Sequence, residues 1–218
     1  MIIKELDDFG SSEFEQCIKI YNSSFPSNEI RPVQKVVETL KHDENYHLYV
    51  SIDNSSVIGI SLMYAFKALR FGLLDYIAVI PNYRGRDIGK DLFNFTLEKF
   101  GSLVSNGIGL LMEIQKESGL HPEESAIRKN RISFYTLLGS KVLVGVNYLL
   151  PPLHYGVEPE EMHLMIKPLT NIRQLSKASV IRFVRAIYST IYEYPHDDLL
   201  HKITKEMPAK IMLRTLAE

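Results

Sequence analysis

Asp75-Tyr-Ile-Ala-Val-Ile-Pro81-Asn-Tyr-Arg84-Gly85-Arg86-Asp87-Ile88-Gly89-Lys90-Asp-Leu92-Phe93 is the stretch that decides the reading of this chain. Its first half is apolar enough for a buried strand. Pro81 starts a turn, a basic loop with two glycines follows, and Ile88, Leu92, Phe95, Leu97 and Phe100 then recur at helical spacing. A strand that delivers a run of backbone N–H groups to a helix N-terminus is an anion site. The other phosphate-loop patterns are missing: no Gly-x-x-x-x-Gly-Lys-Ser/Thr occurs, and no Gly-x-Gly-x-x-Gly follows a strand.

Upstream of that stretch the elements alternate in kind. Ile2 to Leu6 is a short strand. A helix follows, capped by Ser11 or Ser12 and ended by Pro26, with Phe14, Cys17, Ile18, Tyr21 and Phe25 on one face. A second helix runs from Pro32 to about Lys41. Tyr46–Ile52 and Val57–Phe66 are strands joined by the turn residues Asp53-Asn-Ser-Ser56. Phe71–Ile80 is nearly continuous in apolar residues, as a strand covered on both faces would be.

Downstream, Gly101 or the Asn106-Gly107 pair stops the helix. Gly109–Gln115 is a buried strand interrupted by one carboxylate, Glu113. Lys116–Ser125 reads as a loop, Ala126–Leu138 as a helix ended by Gly139, and Val142–Val146 as a strand. Asn147–Glu160, with three prolines, reads as a long excursion, and Met162–Ile166 as a strand. After Thr170 the pattern turns helical, over Asn171–Tyr192 and Leu199–Met207 with a break at Pro195–Asp198, and then a tail. The order predicts an α+β fold with a mixed central sheet. The predicted division is a main domain over 1–168 and a helical C-terminal extension over 169–218.

The bulk numbers exclude several classes. With 218 residues the chain can bury a full core without staples. A net charge of −1 gives no electrostatic case for nucleic acid or an anionic membrane surface. The single Cys17 excludes an internal disulfide framework, and the seven histidines show no ligand spacing, so no metal is expected. No stretch is long and apolar enough for a membrane helix, and the N-terminus lacks the pattern of a signal peptide, so a cytoplasmic protein is expected.

Val79-x-Pro81-x-Tyr83-Arg84-Gly85-x-x-Ile88-Gly89-x-x-Leu92 resembles the acetyl-CoA signature of the GNAT acetyltransferase superfamily, R/Q-x-x-G-x-G/A. Phe134-Tyr135-x-x-x-Gly139 resembles the later helix of that family, and Phe25-Pro26-x-x-Glu29 the helix–loop that borders its acceptor site. The resemblance covers about residues 2 to 168. It implies a splayed sheet flanked by helices, with acetyl-CoA as the acyl donor. It also implies that Ile77, Ala78 and Val79 pair with pantetheine and polarise the thioester, and that Arg84, Gly85, Arg86, Asp87, Ile88, Gly89 and Lys90 hold the pyrophosphate. Phe25 and Glu29 then lie on the acceptor side. Tyr135 is placed beside the sulfur, where a phenol can protonate the leaving thiolate.

Two carboxylates are candidate bases. Glu113 stands inside Leu-Leu-Met-Glu-Ile, where burial would raise its pKa. Asp75 leads into the loop. Against each stands a plain structural role, and release of the proton to water needs neither. Asp87 departs from the signature, which has Gly there, and it brings a negative charge near a pyrophosphate. The implied activity is N-acetylation of a primary amine on a small molecule or peptide, with a homodimer left open. The alternatives are a non-catalytic CoA-binding or partner-binding module, and transfer of a longer acyl group.

Overall fold

Residues 1–25, 29–117, 122–154, 156–194 and 196–216 are described by a computed structural model of the chain. Pro26 and Pro195, the expected helix ends, lie outside them. The α+β class is the one observed. The chain forms two compact units, Met1–Gly107 and Ile108–Glu218.

The first unit contains β1 (Ile2–Glu5), α1 (Ser12–Ser24), α2 (Val33–His42), β2 (Tyr46–Asp53), β3 (Ser56–Phe66), β4 (Phe71–Val79) and α3 (Ile88–Leu103). Its strands pair antiparallel in sequence order, β1 to β2 to β3 to β4. Ser11 caps α1, its side chain accepting from the Phe14 N–H at 3.2 Å. β3 is buried on both faces from Val57 to Phe66. Ile60 and Leu62 line one wall with Phe14, Cys17 and Tyr21 of α1. Ser61 points the other way, where Thr96 of α3 donates to its hydroxyl at 2.8 Å. Gly101 lies inside α3, and the helix ends before Asn106-Gly107.

The second unit contains β5 (Gly109–Gln115), α4 (Pro122–Leu137), β6 (Lys141–Leu143), β7 (Tyr148–Leu150), β8 (Glu160–Pro168), β9 (Gln174–Ser176), α5 (Lys177–Thr190), α6 (Asp198–Lys205) and β10 (Lys210–Arg214). β8 pairs antiparallel with β5, β6 and β7. β10 pairs antiparallel with β6 and with β9.

Four expectations are corrected here. The excursion at 147–160 contains β7. The expected loop at 116–125 gives way to α4 at Pro122. The helix expected from Asn171 begins only at Lys177, with Leu175 in β9. The expected tail is β10, whose Ile211 and Leu213 are buried while Met212 faces out. The residues after 169 therefore carry two strands besides their two helices, and β10 reaches back to β6.

Candidate active site

The loop between β4 and α3 is built by two backbone inversions. A 3-10 turn at Pro81–Tyr83 hands the chain to Arg84 in an extended conformation. Gly85 is left-handed at φ +75°, and Asp87 is left-handed at φ +59°, ψ 0°. Left-handed residues set among ordinary ones turn consecutive N–H groups to one side, which is the geometry of an anion nest. Asp87 is the N-cap of α3, and no side chain caps that helix start. The N–H groups of Ile88, Gly89 and Lys90, at the positive end of the α3 dipole, are thus left uncapped by the protein's own side chain. Arg84, Gly85, Arg86, Asp87 and Lys90 are exposed, while Ile88 is buried and anchors the loop. Arg86 lies over the Tyr83 ring at 5.2 Å.

The departure at Asp87 therefore has a conformational reading. The position needs positive φ, which glycine adopts freely and Asp tolerates better than most residues. Asp87 supplies the backbone shape of the signature glycine, with its residue exposed to solvent.

The end of β4 presents polar backbone away from β3. The Ile80 N–H donates to Ile58 O at 3.0 Å, and Val79 faces Gly59 in the register. In an antiparallel ladder such pairs alternate, so the N–H and C=O of Val79 point away from β3. The Arg84 Nε–H donates to Val79 O at 2.9 Å and closes the turn. Ile77, two residues earlier, has the same orientation.

Asp75 is the extra residue of a β-bulge, since Leu62 pairs with Tyr76 and Met63 with Leu74. The bulge turns its carboxylate into a buried cluster. Oδ2 accepts from the Arg31 guanidinium and from the Tyr46 hydroxyl. The Asp75 side chain is only 2% exposed and that of Arg31 only 7%, so each neutralises a charge that the other would leave stranded. Burial, followed by the Asp75 charge, holds the Tyr46 phenol well above its usual range. The same cluster touches the two residues expected on the acceptor side. The Phe25 ring meets the Tyr76 ring edge-on at 5.1 Å, and the Tyr76 hydroxyl lies 3.4 Å from Glu29 O.

In the second unit, Glu113 is gripped by two phenols. The Tyr148 hydroxyl donates to Oε1, and the Tyr192 hydroxyl donates to Oε2 at 2.5 Å. Tyr192 comes from the segment after α5. Tyr135 is buried on α4, and burial pushes its phenol up to about 12, with Arg131 pulling the other way. Gly139 ends α4 at φ +81°, where the Lys167 ammonium donates to Leu138 O at 2.6 Å.

Ile77–Val79, Asp75, Arg84–Lys90, Phe25 and Glu29 thus share the first unit, and Glu113 and Tyr135 the second. Among the described residues no group of three or more His, Cys, Asp or Glu is placed to hold a metal. No helix among them is long and apolar enough to cross a membrane. Arg31, Tyr46, Tyr148 and Tyr192 are what sequence reasoning missed. Each touches a candidate carboxylate from a distant position, and only the lone carboxylates themselves signalled that partners were needed.

The model of the Acetyltransferase (GNAT) family matches residues 14–115, from α1 through the Arg84–Lys90 loop to the end of β5. No curated protein matches the chain. Among solved structures, a putative GNAT-family acetyltransferase from Bacteroides thetaiotaomicron is 19% identical with a TM-score of 0.69, over 88% of this chain and 98% of that one. The ribosomal-protein-S18-alanine N-acetyltransferase from Escherichia coli is 16% identical with a TM-score of 0.55, over 78% and 95%. An aminoglycoside 6'-N-acetyltransferase complexed with coenzyme A is 16% identical with a TM-score of 0.53, over 79% and 99%.

Proposed function

We propose, from a chain with a GNAT-like fold whose residues 14–115 match the GNAT acetyltransferase family, that it moves an acetyl group from acetyl-CoA to a primary amine in the cytosol. The acceptor is a small molecule or a peptide. The observation that carries the proposal is the Arg84–Lys90 loop, with its left-handed Gly85 and Asp87 and the uncapped start of α3. Its amides would take the pyrophosphate, with Arg84, Arg86 and Lys90 adding charge. Pantetheine would pair with the polar edge at Ile77–Val79. A backbone N–H on that edge would stabilise the oxyanion.

The neutral amine attacks the thioester carbonyl carbon directly. Its lone pair forms the C–N bond, the tetrahedral oxyanion collapses, and the C–S bond breaks. Tyr135 is our choice for the group that returns a proton to the thiolate. A phenol is protonated at neutral pH, as a donor must be, and burial of Tyr135 keeps it so. Neither Glu113 nor Asp75 is needed as a base, because each carboxylate already accepts from two donors inside the fold. The attacking nitrogen releases its proton to water and Tyr135 takes one back from water, so the products are one amide and one thiol.

The test is calorimetry with acetyl-CoA, followed by thiol release with an aminoglycoside, spermidine and a short peptide with a free α-amine. Binding plus turnover of one amine, lost in Tyr135→Phe, supports the proposal. The occupied carboxylates favour one second reading, a CoA-binding module without catalysis. It predicts binding with no turnover of any of the three.

A further inference from the structure

Arg31, just ahead of α2, bonds to the sheet of the first unit through both its backbone and its side chain. Its N–H donates to the Tyr76 hydroxyl at 3.1 Å, and its C=O accepts from the Tyr21 hydroxyl at 3.0 Å. Its guanidinium donates to Asp75 and, at 2.8 Å, to the Tyr46 hydroxyl. It also lies 5.6 Å from the centre of the Tyr46 ring and 5.9 Å from that of Tyr76. Three of these partners, Tyr46, Asp75 and Tyr76, stand on the two strands β2 and β4.

The place of attachment matters more than the number of bonds. Asp75 is the bulge residue of β4, and Ile77 follows two positions later. The Tyr76 ring packs on Phe25 and on Tyr21, at 5.1 and 4.8 Å. The residue that fixes Glu29 to Arg31 is thus fixed to the bulge from which the Ile77–Val79 edge departs. An Arg presents a planar fork in set geometry, whereas a Lys holds only a point charge. A bond network of this kind sets both angle and distance.

We infer that Arg31 is a positioning residue: acting through Asp75 and Tyr76, it fixes Phe25 and Glu29, the two residues expected on the acceptor side, against the strand that would present the thioester. It touches no reacting atom. The inference rests on the acetyltransferase reading above. Asp75 accordingly serves as the anchor of Arg31 and takes no proton from the amine.

The experiment uses the full chain, acetyl-CoA, and whichever of an aminoglycoside, spermidine and a free-amine peptide the wild type turns over. Arg31→Lys keeps the charge opposite Asp75 and loses the fork. Tyr76→Phe keeps the ring and loses the hydroxyl, and it carries the test if Arg31→Lys fails to fold. In both, the acceptor KM should rise about tenfold while kcat stays within about threefold, the mark of lost acceptor binding in place of lost chemistry. Acetyl-CoA affinity, by calorimetry, should stay within about twofold. An unchanged acceptor KM beside a lowered Tm would reduce Arg31 to a structural role and overturn the inference alone. An equal loss of acetyl-CoA affinity would also overturn it. A wild type that binds acetyl-CoA but acetylates none of the three amines defeats the acceptor reading, and this inference with it.

Discussion

Gly85 and Asp87 adopt the same left-handed backbone two residues apart, at φ +75° and +59°, in the loop that opens α3. One is the residue expected at such a position. The other is a carboxylate doing the work of a glycine. Asp87→Gly should therefore leave acetyl-CoA affinity unchanged or tighten it, because shape is kept and a negative charge is removed. Asp87→Val, β-branched at positive φ, should lose about 1–2 kcal/mol of stability. Calorimetry and denaturant titration read the two effects. A clear loss of affinity in Asp87→Gly would give the carboxylate a specific role.

The buried pair of Arg31 and Asp75 predicts an asymmetry. Asp75→Ala strands a guanidinium and should cost roughly 3–5 kcal/mol. Arg31→Met combined with Asp75→Ala should cost less than Asp75→Ala alone, since no charge is left unpaired. Urea titration of the single and double variants measures the coupling. Additive losses would mean that the two groups do not depend on each other.

Much of this was legible in the sequence, for local reasons. Strand, turn and helix from Phe71 to Phe100 follow from residues within a few positions of each other, so the loop could be read directly. The Gly139 stop was legible in the same way. The Arg31–Asp75 pair was not. It joins positions 44 apart, and Arg31 sits between Ile30 and Pro32 with nothing to mark it. The bulge that turns Asp75 inward depends on strand pairing, which composition does not reveal. β10 had a signal, the alternation of Ile211 and Leu213 inside with Met212 outside, but over only five residues it resembles a tail.

β10 gives the third prediction. The Lys177 N–H donates to Ala209 O at 3.0 Å, the Val144 N–H to Met212 O at 2.9 Å and the Leu213 N–H to Arg173 O at 2.9 Å. Ile211 is fully buried. Ile211→Ala should cost about 2–5 kcal/mol. Met212→Ala, on the outward face of the same strand, should cost under about 1 kcal/mol. Equal effects at both positions, by thermal or chemical unfolding, would contradict the pairing of this strand.

Cys17 gives the fourth. It is buried, and burial pushes its thiol up to about 12. Folding favours the protonated form, so this contribution is fully present below the unfolded thiol pKa of about 8.5 and is lost as pH rises toward the folded value. The native protein should resist iodoacetamide at pH 8, and the unfolded chain should react. Fast alkylation of the native state would show Cys17 to be exposed.

The proposed task of the Arg84–Lys90 loop is to hold the pyrophosphate of coenzyme A. Calorimetric titration of the full chain with coenzyme A, and with pantetheine, which lacks the pyrophosphate, tests it most directly. Coenzyme A should bind with micromolar affinity, pantetheine far more weakly, and Gly85→Val, whose side chain opposes positive φ, should lose about tenfold or more for coenzyme A. No heat with millimolar coenzyme A, or equal affinity for the two ligands, would contradict it.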